Sequence, residues 1–212
     1  MEFLMGSGKR FFEFATKLAE LMWVNVLTIL CSIPIVTAGC AITSMHHVLL
    51  AIYRDEEEKI TGMYFKAFRK NFGQATKLWL IYLTYFAFLG LEYWAMKTLE
   101  NPSLRYLELL LPVLTFLGLL SMSWVFVLQF RYTLSLKDTL LYSVTRIVAF
   151  PIRTIGMGVA ALIPVLLTMF LPQFFILVPL MGFSVAGLLS VCFYNGALKV
   201  MEEDPEEEQE KG

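Results

Sequence analysis

Charge is what this sequence has least of. Asp, Glu, Lys and Arg make up 17% of its 212 residues, while 58% belong to the hydrophobic class; soluble globular domains carry roughly 25% charged residues. A soluble core on that scale would be too large for the chain, which leaves a membrane protein. Cysteine is scarce as well. Cys31, Cys40 and Cys192 lie in apolar segments without metal-type spacing, which argues against a disulfide framework or a zinc site and for buried, inert thiols. There is no phosphate-binding loop, nucleophile elbow or metalloprotease pattern. No catalytic constellation, cofactor or nucleic-acid partner is therefore expected. A cleavable leader is also missing: Lys9 and Arg10 are followed by Glu13, Lys17 and Glu20 before the first apolar run, so that run reads as a retained span.

What is present is a succession of apolar runs near the roughly 20 residues that cross a hydrocarbon layer. They predict an all-α polytopic membrane helix bundle with about six membrane segments, at 21–35, 37–53, 77–97, 107–130, 154–171 and 173–198. The first two form a short hairpin broken at Pro34-Ile-Val-Thr-Ala-Gly39. Counted from Leu21, its first arm covers only ~21 Å at ~1.5 Å per residue. Two tight spans and a re-entrant pair both fit, and either returns Arg54 to the side of the N-terminus.

Interfacial amphipathic helices are expected at 8–20, 61–73 and 135–150. The first places Phe11, Phe14, Ala15 and Leu18 on one face. In the second, Thr61 caps a helix with Tyr64, Phe65, Phe68 and Phe72 on one face and Lys66, Arg69 and Lys70 turned away. In the third, Ser135 and Asp138 resemble a capping box, Leu140, Leu141, Val144, Ile147 and Val148 share a face, and Phe150-Pro151 ends the segment. Residues 201–212, with seven acids, are too polar to bury anything and read as a disordered tail. A faint repeat relates the second and third helices: Arg54 and Arg69, then Arg131 and Arg146, stand 15 residues apart, each pair followed by an aromatic, Phe72 or Phe150, and a cation, Lys77 or Arg153.

With the N-terminus in the cytoplasm, 15 of 17 cations fall on the inner side and only Lys97 and Arg105 outside. The positive-inside rule then puts both termini in the cytoplasm of a cell-membrane protein. The basic helix faces suit anionic lipid headgroups or a cytoplasmic partner.

Ionisable residues inside a span are functional candidates by default, which singles out His46 and His47. Adjacent helical positions differ by ~100°, so the two rings cannot face one ligand. No Asp or Glu lies at their depth; Glu92 sits near the outer end of its span and Asp138 is interfacial. A proton relay thus lacks a second member, and structural hydrogen bonding is the leading reading. Asn25, Thr37 and Gly39 fit helix packing through small residues and interhelical hydrogen bonds. The competing reading is a substrate site at the broken helix.

The run Asn25-x8-Pro34-Ile-Val-Thr37-x-Gly39, continued by Ala41 and by Phe65-x-x-Phe68-x-x-Asn71-Phe72 before a Trp-containing span, resembles the YesL family of bacterial integral membrane proteins. The resemblance covers nearly the whole chain and points to Asn25, Pro34, Thr37, Gly39, Phe68, Asn71 and Phe72; His46-His47 is outside the pattern. It implies a membrane domain of unknown activity, often encoded beside carbohydrate uptake systems of the ATP-binding-cassette (ABC) type. The function expected on that basis is a non-enzymatic accessory of an oligosaccharide transporter, binding a permease or ATPase subunit through a cytoplasmic face of Phe65, Phe68, Arg69, Asn71, Phe72 and Arg146. The alternative is a small independent transporter or channel with its site at the hairpin, its pathway enclosed in a homo-oligomer.

Overall fold

The structure, a computed structural model, describes residues 2–56, 59–99, 105–170 and 178–203. Among these the fold is all helical, and six helices are long and apolar enough to cross a membrane. The expected linkers at Asn101-Pro102 and Pro172-Gln173, and the tail from Asp204 onward, lie outside the described residues.

No glycine or proline interrupts residues 9–32, and the chain stays helical throughout them. The expected surface helix and first arm are therefore one helix, α1 (Glu2–Ser32). Its apolar part, Phe14–Ser32, has 19 residues, or ~28 Å at ~1.5 Å each, so the arm is longer than a count from Leu21 implies. Pro34 stops the helix. A single 3-10 turn, Ile35–Thr37, then leads into α2 (Ala38–Tyr53). At the other end of α2, Asp55 adopts a left-handed φ of 55°, which short polar side chains tolerate, and the Glu56 amide closes on the Ala51 carbonyl at 3.0 Å.

The second surface helix and the third span also merge, into α3 (Ile60–Leu99), 40 residues and ~60 Å long. Thr61 lies inside this helix rather than capping it, and its hydroxyl accepts the Trp23 indole N–H at 2.8 Å. The two halves of α3 have different surroundings. The first half exposes Lys66, Arg69, Lys70 and Lys77 and buries Met63, Tyr64, Ala67 and Asn71 towards the hairpin. The second half has no cation until Lys97 and exposes Leu80, Ile81, Leu83, Phe88 and Leu91.

Helix α4 (Arg105–Arg131) returns antiparallel along that second half. Tyr85 donates to the Leu114 carbonyl at 2.9 Å, and Tyr82 shares a hydrogen bond of 2.6 Å with Ser121. Helix α5 (Leu136–Ala149) begins with one half of the expected capping box: the Asp138 amide donates to Ser135 Oγ at 3.2 Å, and the Asp138 carboxylate takes that hydroxyl, at 2.5 Å, as its donor. Thr139 and Ser143 are buried, Ser143 Oγ lies 2.8 Å from Ser121 Oγ, and Leu141, Val144 and Val148 face outward. The suggested repeat therefore does not produce equivalent helices: the first copy continues into its span with its cations exposed, whereas the second ends at Phe150 with an aliphatic face exposed.

Pro151 opens α6 (Pro151–Phe170). A π-helical turn, Val178–Gly182, precedes α7 (Phe183–Glu203). The core runs from Leu21, Val24 and Leu27 through Val48, Leu49 and Tyr64 to Trp124, Val191 and Tyr194. Glycines set the close approaches: Gly156 lies under the Phe193 ring and Gly187 under Leu49.

Gly39 is the tightest of these, since a Cβ there would overlap Cβ of Trp79 and lie 3.0 Å from the Ala75 carbonyl. Gly39→Ala is expected to lower stability by about 1–3 kcal/mol. Gly73→Ala, where nothing lies within 4 Å, is expected to raise it by up to about 1 kcal/mol. Thermal unfolding followed by circular dichroism in one detergent checks both; equal effects of the two substitutions would remove the special role given to Gly39.

Candidate functional site

The corner between α1 and α2 satisfies its own backbone. Thr37 Oγ1 donates to the carbonyls of Cys31 (2.6 Å) and Pro34 (2.8 Å), and the Thr37 amide also reaches Pro34 O at 2.8 Å. Trp79 Nε1 donates to Ile35 O at 2.7 Å. Pro34, Thr37 and Gly39 thus form a closed turn against α3, in which these backbone groups already have partners. Asn25 is not part of it. Its fully buried Oδ1 accepts the Ser184 amide at 2.9 Å, at the start of α7. The residue expected to brace the break instead accepts a backbone amide where the π-helical turn passes into α7.

The two histidines point apart, as their adjacency requires. His47 meets Phe130 edge to face, with ring centroids at 5.6 Å. His46 meets Tyr194 in the same way at 5.8 Å, and the Tyr194 hydroxyl donates to the His46 carbonyl at 3.3 Å. His46 Nδ1 is buried and has no hydrogen-bond partner among the described residues. It borders a cavity of about 450 Å³ between α2, α4, α6 and α7, whose wall includes Met45, Leu120, Phe126, Gly158 and Ser190. The hydroxyls of its two serines are turned back onto their own helices, Ser123 to Leu119 O at 3.1 Å and Ser190 to Ala186 O at 3.0 Å. With no carboxylate or cation among the described residues of its wall, the cavity suits an apolar chain better than a sugar or an ion.

Sequence reasoning missed Asn195. Arg54 Nε and Nη2 both donate to its Oδ1, at 3.1 and 2.9 Å, tying the end of α2 to α7. At the next residue, Gly196, Arg153 of α6 packs on the same helix, 5.3 Å from the Phe150 ring, with Nη1 enclosed and without a hydrogen-bond partner among the described residues. The signal was available in Tyr194-Asn195-Gly196, a lone amide inside the last apolar run.

The expected docking residues separate into three groups. Phe65, Arg69 and Phe72 are exposed on α3. Phe68 is half-buried between Tyr64 and Phe72, and its carbonyl takes the Cys40 thiol at 3.0 Å. Asn71 is buried and donates to Ala67 O at 3.0 Å. These two face the hairpin because the helical period that aligns Tyr64, Phe68 and Asn71 coincides with the α2 contact. Arg146 belongs to α5, which packs on α4 and α6; its Nε is enclosed without a hydrogen-bond partner.

Residues 21–93, comprising the apolar arms, the corner and most of α3, match the model of a family described as "Protein of unknown function, DUF624". No curated protein and no solved structure matches the chain.

Asn25→Ala leaves the Ser184 amide buried without its acceptor, and a loss of about 1–3 kcal/mol is expected. His46→Leu removes a polar atom that has no partner and is expected to leave the unfolding midpoint unchanged or higher. A loss comparable to that of Asn25→Ala would show that His46 Nδ1 is engaged in the folded protein.

Proposed function

We propose that this chain is a non-catalytic membrane protein of the YesL type, accessory to an ABC uptake system for carbohydrates, with both termini in the cytoplasm. The observation that carries this reading is the outer face of the first half of α3. Phe65, Arg69 and Phe72 stand exposed there beside Lys66 and Lys70, on a helix whose opposite face is fully used by the hairpin. Exposed aromatic rings flanked by arginine are the residue types enriched at protein contacts. The family resemblance and the DUF624 match over residues 21–93 support a shared membrane unit, and the gene neighbourhood implied by the resemblance suggests the partner. The apolar wall of the cavity and the closed hairpin corner weigh against a polar transport path through the chain itself.

Affinity purification from the native membrane in mild detergent tests the proposal. A permease or ATPase subunit is expected to co-purify with the unsubstituted protein, and Phe65→Ala with Arg69→Glu is expected to reduce its recovery about tenfold. Absence of any transporter subunit from the unsubstituted preparation would end this reading, and undiminished recovery with the double variant would remove the α3 face from it.

A further inference from the structure

We propose that the cavity between α2, α4, α6 and α7 is a binding site for an uncharged lipid that ends in a hydroxyl group, and that His46 is the hydrogen-bond partner of that hydroxyl.

The wall decides the class of ligand. At about 450 Å³ the cavity falls within the range usual for small-molecule sites. Ile42, Met45, Leu120 and Phe126 dominate it, and no charged side chain stands among the described residues around it. An ionised headgroup would lie there desolvated and unpaired, at a high cost. An apolar body carries no such cost and gains dispersion contacts along these side chains.

One polar group in the wall lacks a partner. His46 is 9% exposed and lines the cavity, and its Nδ1 has no hydrogen-bond partner among the described residues. It stands eight residues after Ala38 and seven before Tyr53 in α2, so the backbone around it is used by the helix itself. The Tyr194 ring meets the imidazole edge to face, and its hydroxyl holds the His46 carbonyl. A nitrogen of a neutral imidazole is either an N–H donor or a lone-pair acceptor. A hydroxyl satisfies both forms because it donates and accepts, whereas a carbonyl or an ether only accepts. That difference selects an alcohol. Ser190, one turn before Tyr194 on α7, also lines the cavity; its hydroxyl donates to Ala186 O, which leaves the lone pairs of Oγ as a second acceptor for the ligand.

The way in is lateral. Phe116 and Leu119 of α4, with Val159 and Leu162 of α6, belong to the wall and are about half exposed. The cleft between these two helices therefore opens on the outside of the bundle, and both helices are long and apolar enough to cross a membrane. A lipid reaches His46 through it without passing through water. The site is separate from the exposed face of α3 and does not depend on the role given to that face.

The whole chain in phospholipid nanodiscs tests the proposal with three probes, hexadecan-1-ol, hexadecane and hexadecanoate, each carrying a diazirine in mid-chain. After irradiation, labelled residues are identified by mass spectrometry. The alcohol is expected to label wall residues such as Met45, Leu120 and Phe126, to be displaced by unlabelled hexadecan-1-ol, and to exceed each of the other probes there by about tenfold. His46→Leu is expected to bring labelling by the alcohol down to that by the hydrocarbon and to leave the hydrocarbon unchanged. Ser190→Phe removes a hydroxyl bonded to its own helix and puts a ring into the cavity; it is expected to abolish labelling of the wall by all three. Equal labelling by alcohol and hydrocarbon, or alcohol labelling that His46→Leu does not lower, would overturn the proposal. Stronger labelling by hexadecanoate would overturn the uncharged headgroup, and label confined to the outer surface without displacement would overturn the site. The ranking of the probes and the displacement are read on the unsubstituted protein, so both remain decisive if either variant fails to fold.

Discussion

At Gly39, helix α3 comes so close to α2 that the Trp79 side chain occupies the space a Cβ would need. The rest of the arrangement depends on this contact. It sets the register in which Tyr64 reaches the Ala41 carbonyl, Cys40 reaches that of Phe68, and Trp79 reaches that of Ile35. Because α3 is unbroken from Ile60 to Leu99, fixing its first half against the hairpin also places its second half. Helix α4 then docks on that half through Tyr82 and Tyr85.

Between apolar helices in lipid there is no hydrophobic driving force to spend, since the acyl chains are as apolar as leucine. Directional and steric contacts must supply the specificity. Several joints among the described residues carry a polar contact: Asn25 with Ser184 for α1–α7, Arg54 with Asn195 for α2–α7, Trp124 with Thr154 for α4–α6. The Tyr82–Ser121–Ser143 chain joins α3, α4 and α5. Interhelical hydrogen bonds of this type contribute on average ~0.6 kcal/mol each, so they select an arrangement more than they stabilise it. Gly118, Gly156 and Gly187 complete the selection by admitting the rings and side chains of Tyr85, Phe193 and Leu49.

Most of the polar groups at depth are thereby accounted for as structure. Asn25, Thr37 and Asn71 are each consumed by a backbone group. His46 keeps a buried nitrogen, Nδ1, beside the cavity with no hydrogen-bond partner among the described residues. What else remains available for recognition lies on the surface: the basic-aromatic face of α3 and the exposed aliphatic faces of the corner and of α5.

Much of the architecture was legible in the residue order. Apolar run length determined a multi-segment membrane protein; Ser135 and Asp138 determined the start of α5; Pro34 and Phe150-Pro151 determined where helices end; the adjacency of His46 and His47 determined that they diverge. Each of these depends on neighbours within a turn or two. The continuity of α1 and α3 was less visible, because a change from amphipathic to uniformly apolar composition looks like a boundary although the backbone has no reason to break there. The inward placement of Phe68 and Asn71, the outward aliphatic face of α5, and the partners of Asn25 and Arg54, 159 and 141 residues away, were decided only by the tertiary structure. The physical reason is the solvent. In water, periodicity tells which face of a helix is buried; in a bilayer the lipid-facing and core-facing sides are both apolar, and only the meeting of small residues and distant polar groups determines which way a helix turns.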